Sequence, residues 1–69
     1  MGIEKHIQVT GSSTVSWKDA IIKTVEKVSQ TINYITAIKI LEQRAKVTGN
    51  IMSEYYVDLD ITFMVDQNQ

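Results

Sequence analysis

The chain has 69 residues and a formal charge of −1, from seven Lys and Arg against eight Asp and Glu, with no basic run. That composition describes one domain and excludes a nucleic-acid face or a polybasic membrane patch. With no Cys and a single His, disulfides, thiolate zinc sites and His-based zinc sites are all excluded as the source of stability. A chain this short buries only about 60% of its unfolded surface, so self-association is the expected route to a stable core. No apolar run is long enough to span a bilayer and no signal-peptide pattern is present, so the sequence reads as a soluble, cytoplasmic protein.

In chain order, Ile3–Thr10 comes first. Ile3, Ile7 and Val9 alternate with Glu4, His6 and Gln8, the period of a half-buried strand, and Lys5 breaks the apolar row. Gly11-Ser12-Ser13 reads as a turn leading to a helix. His6 reads as a surface or interface side chain, because no partner for metal binding or proton transfer accompanies it.

The spacing predicts one helix, over Ser16–Asn33. Ser16 is placed to cap it, and Asp19 follows three residues on as a shortened capping box at the positive end of the dipole. Trp17, Ile21, Val25, Val28 and Ile32 form one apolar stripe, while Asp19 and Lys23 make an acid-before-base i,i+4 pair. Asn33 is the expected stop, since Asn tolerates the left-handed conformation after a helix. No residue of the helix is a catalytic candidate; its role is to give an apolar face to a sheet.

Thr36–Thr48 reads as a second strand, Gly49-Asn50 as a tight hairpin of the primed type, and Ile51–Val65 as a third strand. Alternation in the third strand sets Tyr55, Val57, Leu59, Ile61 and Phe63 on a core face and Tyr56, Asp58, Asp60, Thr62 and Met64 on the other. Asp66-Gln67-Asn68-Gln69 reads as a frayed polar tail. The predicted fold is therefore α+β, in the order β-α-β-β. Its three-stranded antiparallel sheet has strand three in the centre, and one helix covers one face.

Two features point beyond the monomer. Strands of about 13 residues span about 40 Å, whereas a helix of about 16 residues spans only about 24 Å, so the sheet overhangs its cover. A two-residue hairpin also sets Ala37 opposite Thr62, Lys39 opposite Asp60, Leu41 opposite Asp58 and Gln43 opposite Tyr56. Leu41, Tyr56 and Met64 are large for a face left in water, so that outer face reads as an interface, or as a ligand surface made by one.

Catalytic signals are weak. Asp58 and Asp60 share a side and are the only metal or acid–base candidates, but Lys39 across from them is the expected neutralising partner. Glu42 and Arg44 also share a side, as an expected ion pair. Thr14 and Ser16 have no activating base, and no Gly-rich phosphate loop is present. The sequence does not read as an enzyme.

The GSS–SWKDAI–TV cap and helix, the ILEQR stretch of strand two and the EYYVDLDITF run of strand three resemble the dodecins, from about Ile3 to Val65. That resemblance implies a small βαββ protein that assembles into a hollow homododecamer and has no enzymatic activity. It implies a flavin (riboflavin, FMN or FAD) stacked in pairs at subunit interfaces, for storage and quenching of its photochemistry. The family's stacking Trp falls on Ala37, and the Gln that bonds the pyrimidine edge of the ring falls on Tyr56. Gln43, opposite Tyr56 in the expected pairing, completes the ligand positions that the resemblance implies. Both replaced positions lie on the outer face. Two readings therefore stand: a binding module for flavin or another flat ligand, or a structural assembly without organic ligand that holds only ions on its symmetry axes. The expected partner is the chain itself, with neither nucleic acid nor membrane.

Overall fold

The computed structural model describes residues 2–66 and has the elements β1 (Gly2–Ser13), α1 (Trp17–Val28), β2 (Ile35–Thr48) and β3 (Ile51–Asp66). The sheet order is β1-β3-β2, with both neighbours antiparallel to the central strand, as the sequence pattern predicts. The most apolar strand takes the centre because only there are both of its edges paired. Gly49 and Asn50 adopt φ of 59° and 65°, the left-handed pair that closes a two-residue hairpin with the twist of its strands. Asp66 ends β3, and the remainder of the expected tail lies outside the described residues.

The helix starts where expected. Ser16 Oγ accepts the backbone N–H of Asp19 at 3.0 Å. The Asp19 carboxylate takes the Ser13 hydroxyl at 2.6 Å and pairs with Lys23 at 3.2 Å, contacts that hold it below the usual carboxylate range. Gly11-Ser12-Ser13 is not a turn: β1 runs through it to Ser13, pairing as far as Tyr55. Gly11 is needed there. A Cβ on it would stand 1.6 Å from Thr24 Oγ1 and 2.9 Å from Thr24 Cβ, so its lack of a side chain sets how closely α1 approaches β1.

The helix ends five residues early, at Val28. The Ser29 hydroxyl donates to the Glu26 carbonyl and the Thr31 hydroxyl to the Val28 carbonyl, and the backbone tightens into i→i−3 bonds at Gln30 and Thr31. Short hydroxyl side chains thus compete for the carbonyls that a longer helix needs. The left-handed residue is Tyr34 (φ 62°), not Asn33, and its carbonyl accepts the N–H of Met64.

Ala20, Val57, Leu59 and Ile61 are fully buried, with Ile7, Val9, Trp17, Ile21, Val28 and Ile35 packed around them. The stripe turns on Ala20 rather than Val25, which is half-buried and apart from this cluster. Gly11 lets the helix approach β1 closely, and the small Ala20 side chain is fully buried in the contact. The 12-residue helix spans about 18 Å, along a body measuring 56 × 19 × 13 Å. The radius of gyration is 14.4 Å, against about 11 Å for a compact chain of this length.

α1 lies mainly over β1 and β3 and touches β2 at its first residue, Trp17, leaving most of β2 uncovered. Ile38 and Ile40 point to the helix side, as partners of Ile61 and Leu59, yet remain 39% and 47% exposed.

Candidate ligand site on the outer face of the sheet

The register of β2 on β3 decides which side chains meet on the face away from the helix. From the hairpin, Thr48 pairs with Ile51, but a shift after Lys46 moves the pairing by one residue. A second shift, between Ile40 and Glu42, restores it. Between the two irregularities Arg44 pairs with Tyr56 and Glu42 with Asp58, while Gln43 pairs with Val57. Two expected pairings are thereby corrected: Leu41 is the extra residue at the bulge rather than the partner of Asp58, and Gln43 is not the partner of Tyr56. Because side chains alternate, a one-residue shift turns Gln43 to the helix side, away from Ala37 and Tyr56. Ala37 opposite Thr62 and Lys39 opposite Asp60 stand as expected, since they lie beyond the second bulge.

Arg44 is the residue that the unbulged register hides. Its guanidinium donates to Asp58 Oδ1 at 3.0 Å and lies 5.3 Å from the centroid of the Tyr56 ring. Thr10 donates to the same Asp58 oxygen at 2.8 Å. The bonds from Arg44 and then Thr10 hold the Asp58 carboxyl below its ordinary value. The Tyr56 hydroxyl donates to Glu54 at 3.0 Å, and that bond to a carboxylate raises the phenol above its usual range. A cleft of about 520 Å³ opens beside this cluster at the Leu41 bulge, lined in part by Thr10, Glu42, Arg44 and Asp58.

Asp60 faces His6, whose Nδ1 lies 3.2 Å from Asp60 Oδ2 and 3.1 Å from the Thr62 hydroxyl. The two carboxylates are thus engaged by Arg44 and His6, not by Lys39 as expected, and Arg44 pairs with Asp58 rather than Glu42. Among the described residues no group of three or more His, Cys, Asp or Glu side chains is gathered to hold a metal ion. No described helix is long and apolar enough to cross a membrane. Trp17 Nε1 donates to the Arg44 carbonyl at 2.9 Å, and its ring meets Tyr55 edge-on at 5.0 Å, which latches the start of α1 to the same stretch of β2.

Ala37 and Tyr56 share the outer face, but not one place on it. Ala37 is level with Thr62, six residues along β3 from Tyr56, a separation of about 20 Å at strand rise. A single flat ligand meets both only if two copies of the chain supply them.

The sequence matches the Dodecin family model over residues 3–66, nearly its whole length. The chain belongs to the dodecin family. Its fold is similar to that of the dodecin from Streptomyces davaonensis, with a TM-score of 0.90 at 18% identity, covering 96% of this chain and 97% of that one. A Thermus thermophilus dodecin mutant aligns with a TM-score of 0.91 at 19% identity, covering 99% and 100% of the two chains. The calcium dodecin of Mycobacterium tuberculosis, whose structure has a novel calcium-binding site, aligns at 0.81 with 24% identity over 97% and 96%. No curated protein matches the sequence significantly. Of the positions that the residue-by-residue resemblance implies, Tyr56 is on the central strand β3, whereas Ala37 and Gln43 are on the edge strand β2.

Proposed function

We propose that this dodecin is a non-enzymatic binding protein that assembles as a homododecamer and holds a flat aromatic ligand of the flavin class where the outer faces of its copies meet. The observation that carries the assembly is β2. Apart from the Trp17 latch it is uncovered by the helix, and it exposes Ile38, Ile40 and Leu41 on a chain more extended than a compact one of its length. Large apolar side chains left exposed along one strand support an interface there. The distance between Ala37 and Tyr56 supports placing the ligand between copies rather than within one.

The test is light scattering with a riboflavin fluorescence titration on the purified protein. The expected result is a single large oligomer that quenches riboflavin on binding. A folded monomer at micromolar concentration sinks the assembly. An intact oligomer that leaves riboflavin and its nucleotides fully fluorescent sinks the ligand.

A second reading, an assembly without flavin that binds only ions, is favoured over flavin binding by two observations. Ala37 has no ring, and the Tyr56 face is already occupied by Arg44. Intact oligomer without flavin quenching is the outcome that selects it.

A further inference from the structure

The chain has five aromatic residues, Trp17, Tyr34, Tyr55, Tyr56 and Phe63. Four are committed. Trp17 and Tyr55 pack against each other, Phe63 is half-buried on the helix side, and Tyr56 lies under Arg44 with its hydroxyl on Glu54. Tyr34 alone stands out, 73% exposed. Its backbone is left-handed, a conformation that a Cβ disfavours and that Gly, Asn and Asp adopt far more readily than Tyr. A bulky residue kept in such a conformation is a pointer to function. The strained residue is held in place by the Met64 N–H, which donates to its carbonyl at 3.1 Å.

Tyr34 lines two clefts. One of about 310 Å³ is lined by Gly2, Tyr34, Met64 and Val65. The other, of about 270 Å³, adds Thr31, Ile32, Asn33 and Phe63 to Tyr34, Met64 and Val65 and is of mixed polarity. Each is near the lower end of ligand-site volumes, the size of one flat ring system rather than a whole nucleotide. Met64 belongs to the outer face, two residues along β3 from Thr62, the partner of Ala37. Its thioether is a polarisable contact for an aromatic ring.

We propose that Tyr34 is the stacking platform for the ring system of a planar, electron-poor heteroaromatic ligand, standing at the entrance of β2 in place of the ring that Ala37 lacks. The inference rests on the reading of the assembly as a holder of flat ligands. The electron-rich phenol face supplies the stacking surface and Met64 the floor. Left-handed Tyr34 turns the ring outward at the end of the sheet, beyond the reach of Arg44.

The test uses the full-length assembled protein with riboflavin as the probe. Tyr34→Gly removes the ring and suits the left-handed backbone, so folding is favoured; Tyr34→Phe keeps the ring. At unchanged oligomer size by light scattering, Tyr34→Gly is expected to raise the Kd for riboflavin about tenfold or more, and Tyr34→Phe to change it less than about threefold. Parent-like riboflavin binding by Tyr34→Gly overturns the proposal and leaves the flat-ligand reading standing. Failure of the parent to bind riboflavin overturns both together. If Tyr34→Gly loses assembly while Tyr34→Phe keeps it, the ring is a subunit contact and the proposal is also overturned.

Discussion

Gly11→Ala is expected to force α1 away from β1. The new Cβ would stand 1.6 Å from Thr24 Oγ1, 2.9 Å from Thr24 Cβ and 3.3 Å from Thr24 Cγ2. Rotating Thr24 moves its hydroxyl and methyl but not its own Cβ, so no rotamer clears the contact. The hydroxyl is also tied to the Ala20 carbonyl at 2.6 Å, and Ala20 is the fully buried centre of the helix face. Restoring a carbon–carbon distance near 3.6 Å requires a retreat of about 0.7 Å by the helix, in an interior that transmits rather than absorbs such shifts. Overpacking of this kind costs about 1–3 kcal/mol. For a domain of this size that lowers the melting temperature by roughly 4–24 °C, measured by circular dichroism at fixed protomer concentration. Thr24→Gly in the same background removes the clashing carbon. It should recover part of the loss despite costing the helix about 1 kcal/mol of propensity, so the double-mutant cycle should show a favourable coupling. A Gly11→Ala protein that melts with the parent, or a cycle with zero coupling, refutes the close approach of Gly11 to Thr24.

Leu59→Ala should destabilise by about 2–5 kcal/mol through lost burial and a cavity, seen in chemical denaturation or as failure to assemble, because Leu59 is fully buried between helix and sheet. The Asp58 carboxyl is held below its unfolded value of about 3.9 by Arg44 and Thr10. Its contribution is therefore complete above that pH and disappears as the pH falls through the lower folded value. Acid unfolding below about pH 4 should be steeper in the parent than in Arg44→Ala, and identical profiles would refute the pairing. Ala37→Trp should strengthen riboflavin quenching in the intact assembly by adding an indole to the outer face, and an unchanged titration would show that surrounding side chains close the position.

Most of the architecture was legible in local pattern. The alternation of Tyr55 to Phe63 against Tyr56 to Met64 marks one buried face and so makes β3 central. Gly49-Asn50 and Ser16 with Asp19 carry their turn and cap in chemistry that acts within a few residues. The family resemblance rests on the same local runs. By contrast, the helix end at Val28 was misplaced because Ser29 and Thr31 take up its carbonyls, a competition that apolar spacing does not register.

What only the tertiary structure decided is register and cover. The compensating bulges near Lys46 and Leu41 leave the hairpin and Ala37 where a plain ladder puts them. Between them they exchange Arg44 for Gln43 on the outer face. No residue type announces such a pair, because the choice lies in how a long, twisted strand fits its neighbour rather than in local preference. The same holds for Gly11, which read as a turn residue but serves as the gap into which Thr24 fits. Length and composition alone raised the expectation that this chain associates with copies of itself. Which strand is left least covered was set by the helix settling on β1 and β3, where Gly11 permits close packing.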